Sequence, residues 1–308
     1  MKQNKFKRLL LMITILVCTL SGCKSIVEET EKNLTIYSSF YPIYALTSLV
    51  TRDVPDMTIH CLVEPQDGCL RDYQISDRDL YLLAYSADAV VLAGSGLESF
   101  ADALTSESNT QIAALKLLEG LDLYQGHSDE DESHFEGANP YLYLSIDGAI
   151  RMIENAESGL SVLDPDYEEL YHKNANRAIE ELTALRDELL AKASILNGKR
   201  AAILAEPLFY VAKMYGMDAV CTVERECGQA LYGSEIDDCL NVLAESQVDV
   251  VLIEKQAPLK LVNAISDAGY AIAKIDCMNT HTEKEGAEGY FAAHRANANA
   301  LIETIKGE

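Results

Sequence analysis

Two acids, Glu206 and Asp276, each follow a short β-rich run, the place where open α/β sheets gather the side chains that meet a ligand. Carboxylates brought from two separate strands to one cleft suit a hard divalent cation, which takes oxygen donors. A lone acid after a strand also serves as a helix cap or turn former, so the pair says more than either member. The same rule points to Ser38-Ser39-Phe40-Tyr41 and to the 65–73 loop. No Cys-x-x-Cys, His-Glu-x-x-His or Gly-x-Ser-x-Gly motif occurs, so zinc-ribbon, zincin and serine-hydrolase chemistry have no support. Neither an enzyme nor an organic cofactor is expected.

The elements that must position these residues alternate in type. Strands are expected at 34–37, 57–63 and 89–92 and again at 200–205, 249–253 and 271–275, with helices at 43–52 and 76–86 in the first half. Ser76-Asp77 is the cap candidate of the second helix. Gly94-Ser95-Gly96 closes the third strand and opens a helix through Leu104. His127 and His134 flank four consecutive acids in what reads as a solvated loop. Over 165–196, Leu170, Ile179, Leu182, Leu185, Leu189 and Ile195 recur at helical intervals, with Pro165 at the start and Asn197-Gly198 as the stop. Such a helix would run ~45 Å at 1.5 Å per residue. The fold class is therefore α/β, with two Rossmann-like lobes around central, mainly parallel sheets, over 34–160 and 198–308. One long spine helix within 161–197 joins them.

The N-terminus has a different job. Lys2, Lys5, Lys7 and Arg8 precede an apolar run from Leu9 to Leu20, the layout of a secretion signal. That run is shorter than the ~20 residues a membrane span needs. Leu20-Ser21-Gly22-Cys23 resembles the bacterial lipobox, which makes 1–22 a signal peptide and Cys23 the lipidated anchor. Residues 23–33 are then a polar tether, and the body lies outside the cytoplasm, on the cell surface or in the periplasm. The formal net charge is -24, and removing four cations with the signal leaves -28. A surface of that sign repels nucleic acid and anionic head groups, which excludes both as partners. Beyond Cys18 and Cys23 there are six cysteines, at 61, 69, 221, 227, 239 and 277. An exported chain permits bridges between them, such as Cys61/Cys69 or Cys221/Cys227, or buried thiols.

Along the rest of the chain, Ile36-Tyr37-Ser38-Ser39-Phe40-Tyr41-Pro42, Leu62-Val63-Glu64-Pro65 leading to Asp72-Tyr73, Val90-Val91-Leu92-Ala93-Gly94-Ser95-Gly96-Leu97-Glu98, Asn139-Pro140, Met214-Tyr215-Gly216, Ile253-Glu254-Lys255-Gln256 and Ile275-Asp276 occur in that order. In this it resembles the metal-binding lipoproteins that serve zinc and manganese ABC importers. The resemblance implies a monomeric, lipid-anchored capture protein that hands a divalent ion to an ABC permease and its ATPase.

The resemblance also implies a ligand set of two first-lobe histidines with a His or Glu and an Asp from the second lobe. Carried over, those positions fall on Arg71, Tyr141, Glu206 and Asp276; alignment on Tyr215-Gly216 instead puts Ala205 in the third place. Arg71 has no lone pair to give, and a tyrosine with a pKa near 10 is a poor ligand at neutral pH. Arg71 can instead pair with Asp276 or Glu206 across the cleft. Cys69 and Cys277 are the substitute thiolate candidates. His60, His172, His281 and His294 are scattered over a strand, the spine, a loop and the last helix. Two alternatives stand beside metal capture: a polar or anionic ligand held by Arg71 and Tyr141, and a surface adhesion or interaction protein that has lost metal binding.

Overall fold

The β-rich runs form two four-stranded, wholly parallel sheets with the same strand order. A computed structural model describes residues 33–63, 73–101, 112–125, 138–223, 230–278 and 286–307. In the first sheet β1 (Leu34–Ser38), β2 (Met57–Cys61), β3 (Ala89–Leu92) and β4 (Ala113–Lys116) lie in the order β2-β1-β3-β4. In the second, β5 (Arg200–Ile203), β6 (Asp218–Thr222), β7 (Val250–Glu254) and β8 (Ile272–Ile275) lie in the order β6-β5-β7-β8. Each lobe thus repeats one topology. β4 and β6, which the sequence pattern does not announce, are edge strands with mostly solvent-touched residues.

Helices cover the sheets: α1 (Tyr41–Val50), α2 (Asp77–Ser86), α3 (Ile146–Leu163), α4 (Glu168–Lys192), α5 (Leu208–Met214), α6 (Ser234–Ser246), α7 (Leu259–Asp267) and α8 (Gly286–Lys306). The Ser76 hydroxyl caps α2 by accepting from Asp79 N–H at 3.1 Å, which satisfies one of the donors a helix start leaves open. Gly94-Ser95-Gly96 leads into turns through Phe100, Ala101 is helical, and the rest of the expected helix, in residues 102–111, lies outside the described residues.

The spine is shorter than its sequence pattern. Its regular part, α4, holds 25 residues, or about 38 Å, between 3-10 turns at Pro165–Tyr167 and Ser194–Leu196. Residues 161–163 close α3 instead. Asp164, at φ -140° and ψ 74°, breaks the helix before Pro165, as the residue preceding a proline is driven from the helical region. Tyr171, Asn174, Ala178, Leu182, Leu185 and Leu189 make the buried stripe of α4. The Asn174 amide donates to the carbonyls of Val50 and Arg52 at 3.0 and 2.6 Å, closing the C-terminal end of α1.

The alternation of the strands sorts the core. Ala201, Ile203, Val250 and Leu252 join a core shared with β1, β3 and α1, whereas Ala202, Leu204, Val251 and Ile253 pack in a smaller cluster with α6 and α7. One apolar core therefore continues from the first lobe through to one face of the second sheet.

A second helix ties the lobes. α8 leaves the second sheet and packs on α1, and Tyr41, three residues after β1, donates its hydroxyl to Gly286 C=O at 2.8 Å. Tyr143, in a 3-10 turn at Leu142–Leu144, donates to Cys277 C=O at 3.1 Å, while its own carbonyl accepts from the Tyr290 hydroxyl. Tyr41 follows β1, Cys277 follows β8 and Tyr143 precedes α3, so these bonds tie the carboxyl ends of β1 and β8 to the start of α3 and to α8. His294, one turn beyond Tyr290, packs edge-on to it with ring centroids 4.7 Å apart. It is buried, and its Nε2 has no hydrogen-bond partner.

Burial lowers the His294 pKa to about 4 against a smaller opposing effect of its hydrogen bond to the Tyr143 backbone. The unfolded chain then binds a proton below its ordinary pKa near 6.5 while the native state does not until about 4. His294 costs nothing above that range and removes stability as pH falls through it, by up to about 3 kcal/mol. Replacing His294 with Phe, which keeps the ring contact, should flatten the decline in urea-unfolding free energy between pH 6.5 and 4. An unchanged slope would assign the acid sensitivity to other groups.

Candidate functional site

The ends of β5, β7 and β8 carry Glu206, Glu254 and Asp276. β7 separates β5 from β8, so Glu206 and Asp276 start about 10 Å apart at the backbone, two strand spacings. Glu254 lies between them and is wholly buried, whereas the other two are half-buried. Among the described residues no three His, Cys, Asp or Glu side chains converge on a point that could hold a metal ion.

Asp276 is held at both its backbone and its side chain. The Asn297 amide reaches from α8 to accept from Asp276 N–H at 2.8 Å and donate to Asp276 C=O at 2.9 Å. One carboxylate oxygen, Oδ1, accepts from Met278 N–H at 2.8 Å, an Asx turn that places Met278 at φ 59°, in the left-handed region. The other oxygen, Oδ2, lies 3.8 Å from Lys255 Nζ. Asp276 thus has a fixed backbone, one committed oxygen and one that faces a mobile cation. Cys277, its neighbour, is 1% exposed.

Glu206 is joined to the other predicted position through Asn139. The Asn139 amide donates to Glu206 C=O at 2.9 Å, and its side-chain oxygen accepts from Tyr141 N–H at 3.0 Å. Tyr210 seals the same seam by donating to Asn139 C=O while accepting from Tyr124 N–H, both at 3.0 Å. Burial pushes the Tyr210 pKa up, the hydrogen bond from Tyr124 N–H pulls the other way, and the nearby Glu206 charge adds a smaller upward push. Tyr141 itself is 3% exposed and packs edge-on to Tyr143, with centroids 6.2 Å apart. The structure therefore brings Tyr141 and Glu206 to one seam and sets Asp276 across the sheet end from it. Arg71, Cys69 and Cys23 lie outside the described residues.

The first lobe is stiffened beneath this site by Glu98. Its carboxylate accepts from the Ser39 hydroxyl at 2.7 Å and from the N–H groups of Ala93 and Gly94 at 2.6 and 2.9 Å. Burial pushes its pKa up, while the three hydrogen bonds pull the other way. The bonds link the carboxyl ends of β1 and β3. A groove of about 620 Å³ along β4 and α3, lined by Leu115, Lys116, Asn155, Gly159 and Val162, includes none of these residues.

The post-strand rule points to Glu206 and Asp276 and does not single out Asn297, Lys255 or Glu98. An amide three residues after His294 on the buried face of a helix was the available signal for Asn297. Lys255 gave none beyond its place after a strand.

The comparisons with known proteins agree on one family. The family model described as zinc-uptake complex component A, periplasmic (ZnuA), matches residues 36–304. The zinc-binding lipoprotein AdcA of Streptococcus pneumoniae is 24% identical over 97% of this chain, which spans 61% of AdcA's length. The high-affinity zinc uptake system protein ZnuA of Bacillus subtilis is also 24% identical, over 95% of this chain and 94% of its own. In backbone, the solute-binding protein FpvC of Pseudomonas aeruginosa, solved with Mn2+, superposes with a TM-score of 0.78 at 21% identity, covering 90% of this chain and 99% of FpvC. That likeness establishes the fold.

Replacing Asn297 with Ala removes both bonds to the Asp276 backbone and leaves a buried N–H and C=O to find new partners. The expected loss is about 2 kcal/mol, read as a lower urea midpoint with an unchanged slope. A wild-type midpoint would show that the clamp is redundant.

Proposed function

Because this chain belongs to the ZnuA family of zinc-uptake components, which are solute-binding proteins and not enzymes, we propose that it is the extracytoplasmic binding component of an ABC importer. It captures a divalent metal ion, zinc or manganese, between its lobes and passes it to a membrane permease and its ATPase. The observation that carries this reading is Asp276, whose backbone is clamped on both sides by Asn297 and whose Oδ2 is not committed to the turn. Preorganised oxygen suits an ion that must shed water on binding.

Glu206 is the second oxygen donor in this reading. Arg71 and Tyr141 stand at the positions where the family carries histidines; Arg71 binds no cation, and Tyr141 is buried on the first-lobe side. The names of AdcA and ZnuA support zinc, and the Mn2+ of FpvC supports the wider divalent class. Two helices and a continuous core tie the lobes, so capture proceeds through side-chain and loop adjustment with little rigid-body closure. Cys23 anchors the monomer by lipid. Among the described residues no helix is long and apolar enough to cross a membrane.

Two experiments bear on this. Zinc or manganese at 100 times its Kd should stabilise the purified protein by ~2.7 kcal/mol, visible as a rise in melting temperature that a chelator reverses. Asp276→Asn, which keeps the acceptor for Met278, should abolish the rise; a shift that survives it moves the site elsewhere, and no shift in the wild type ends the metal reading. In cells, Cys23→Ser should release the protein from the membrane fraction and prevent incorporation of labelled fatty acid. Retention with label would place the lipid on another residue.

A further inference from the structure

Lys255 is the first residue after β7, and its backbone N–H donates to Ile275 C=O at 2.8 Å, which places it directly alongside Asp276. The turn that follows is closed by Ala257 N–H to Glu254 C=O at 2.9 Å. The backbone at Lys255 is thereby fixed, while its side chain is 62% exposed against 13% for Asp276. Nζ stands 3.8 Å from Oδ2, the carboxylate oxygen that the Met278 turn leaves available.

We propose that Lys255 is a resident counter-cation of Asp276, which an incoming divalent ion must displace, and that it sets the affinity threshold of the site. This rests on the metal-capture reading. The logic is one of competition for a single oxygen. With Oδ1 committed to the turn, lysine and metal both address Oδ2, and an ammonium within a few ångströms of a bound dication repels it. Lysine suits this task because it is a compact, well-hydrated charge on a flexible stem and can swing into water without moving the backbone.

The repulsion is the same for every dication, so it leaves the ratios of their affinities unchanged. It lowers all of them by one factor, and ions that bind carboxylates weakly fall below useful occupancy while strong binders remain. Calcium and magnesium, which bind carboxylate oxygen weakly unless many donors converge, are the ions this threshold turns away first. Lys255 thus sets the affinity threshold of the site, beside Asp276 Oδ2 and without ligating the ion.

The test is a calorimetric titration of the full mature chain with zinc, manganese and calcium, comparing wild type with Lys255→Met and Lys255→Arg. Methionine keeps the stem and removes the charge. Zinc should bind Lys255→Met roughly tenfold more tightly than wild type, and measurable calcium binding should appear. Lys255→Arg should stay near wild type. Because the lysine is exposed, the gap should narrow as salt is raised. A purely structural role predicts weaker binding on replacement, so equal or weaker zinc binding by Lys255→Met, with a wild type that binds, overturns the proposal and leaves metal capture standing. If neither protein binds a divalent ion, capture itself fails and takes the role of Lys255 with it.

Discussion

The carbonyl of Tyr143 is the point on which the architecture turns. It belongs to the first lobe, yet it receives the Tyr290 hydroxyl and a hydrogen bond from His294, both on the helix that follows the last strand of the second lobe. Residues 290, 294 and 297 lie three or four apart and share one helical face. Once Tyr290 and His294 are seated, Asn297 has one place to be, and there it grips the backbone of Asp276. The junction between the lobes and the candidate ligand are thus set by the same helix face. His294 marks what this costs, since its Nε2 is buried without a partner and its charged form is disfavoured.

A similar economy governs the rest of the site. Asn139 uses one amide to fix both the Tyr141 backbone and the Glu206 carbonyl, and Glu98 uses one carboxylate to hold the ends of β1 and β3. In each case a buried polar side chain satisfies backbone groups that strand ends leave open. The result is a rigid rim around two acids. The large negative charge of the chain adds a favourable field for cations over the whole surface, and Lys255 counters it locally at one oxygen.

Much of this was legible in the sequence because it is written in short-range pattern. Alternating apolar runs gave six of the eight described strands, and the position after a strand picked out Glu206 and Asp276. β4 and β6 escaped because Ala113-Ala114-Leu115-Lys116 and Asp218-Ala219-Val220-Cys221-Thr222 hold few of the β-branched and aromatic residues that mark strands. The spine was over-extended because its apolar spacing continues through 3-10 turns that only Asp164 and Pro165 interrupt. Asn297 and Glu98 were out of reach for a different reason. Asn297 acts on Asp276 from 21 positions away, Glu98 on Ser39 from 59, and such pairings depend on packing that no local spacing encodes.

The central claim is that a divalent ion is held at the end of β8 by Asp276. Anomalous diffraction from crystals of the protein soaked with zinc or manganese measures this directly. The account predicts an anomalous peak ~2.0–2.2 Å from Asp276 Oδ2, with Lys255 Nζ withdrawn from its place beside that oxygen. Ordered metal found only elsewhere, with the Asp276 and Lys255 pair intact, would contradict it.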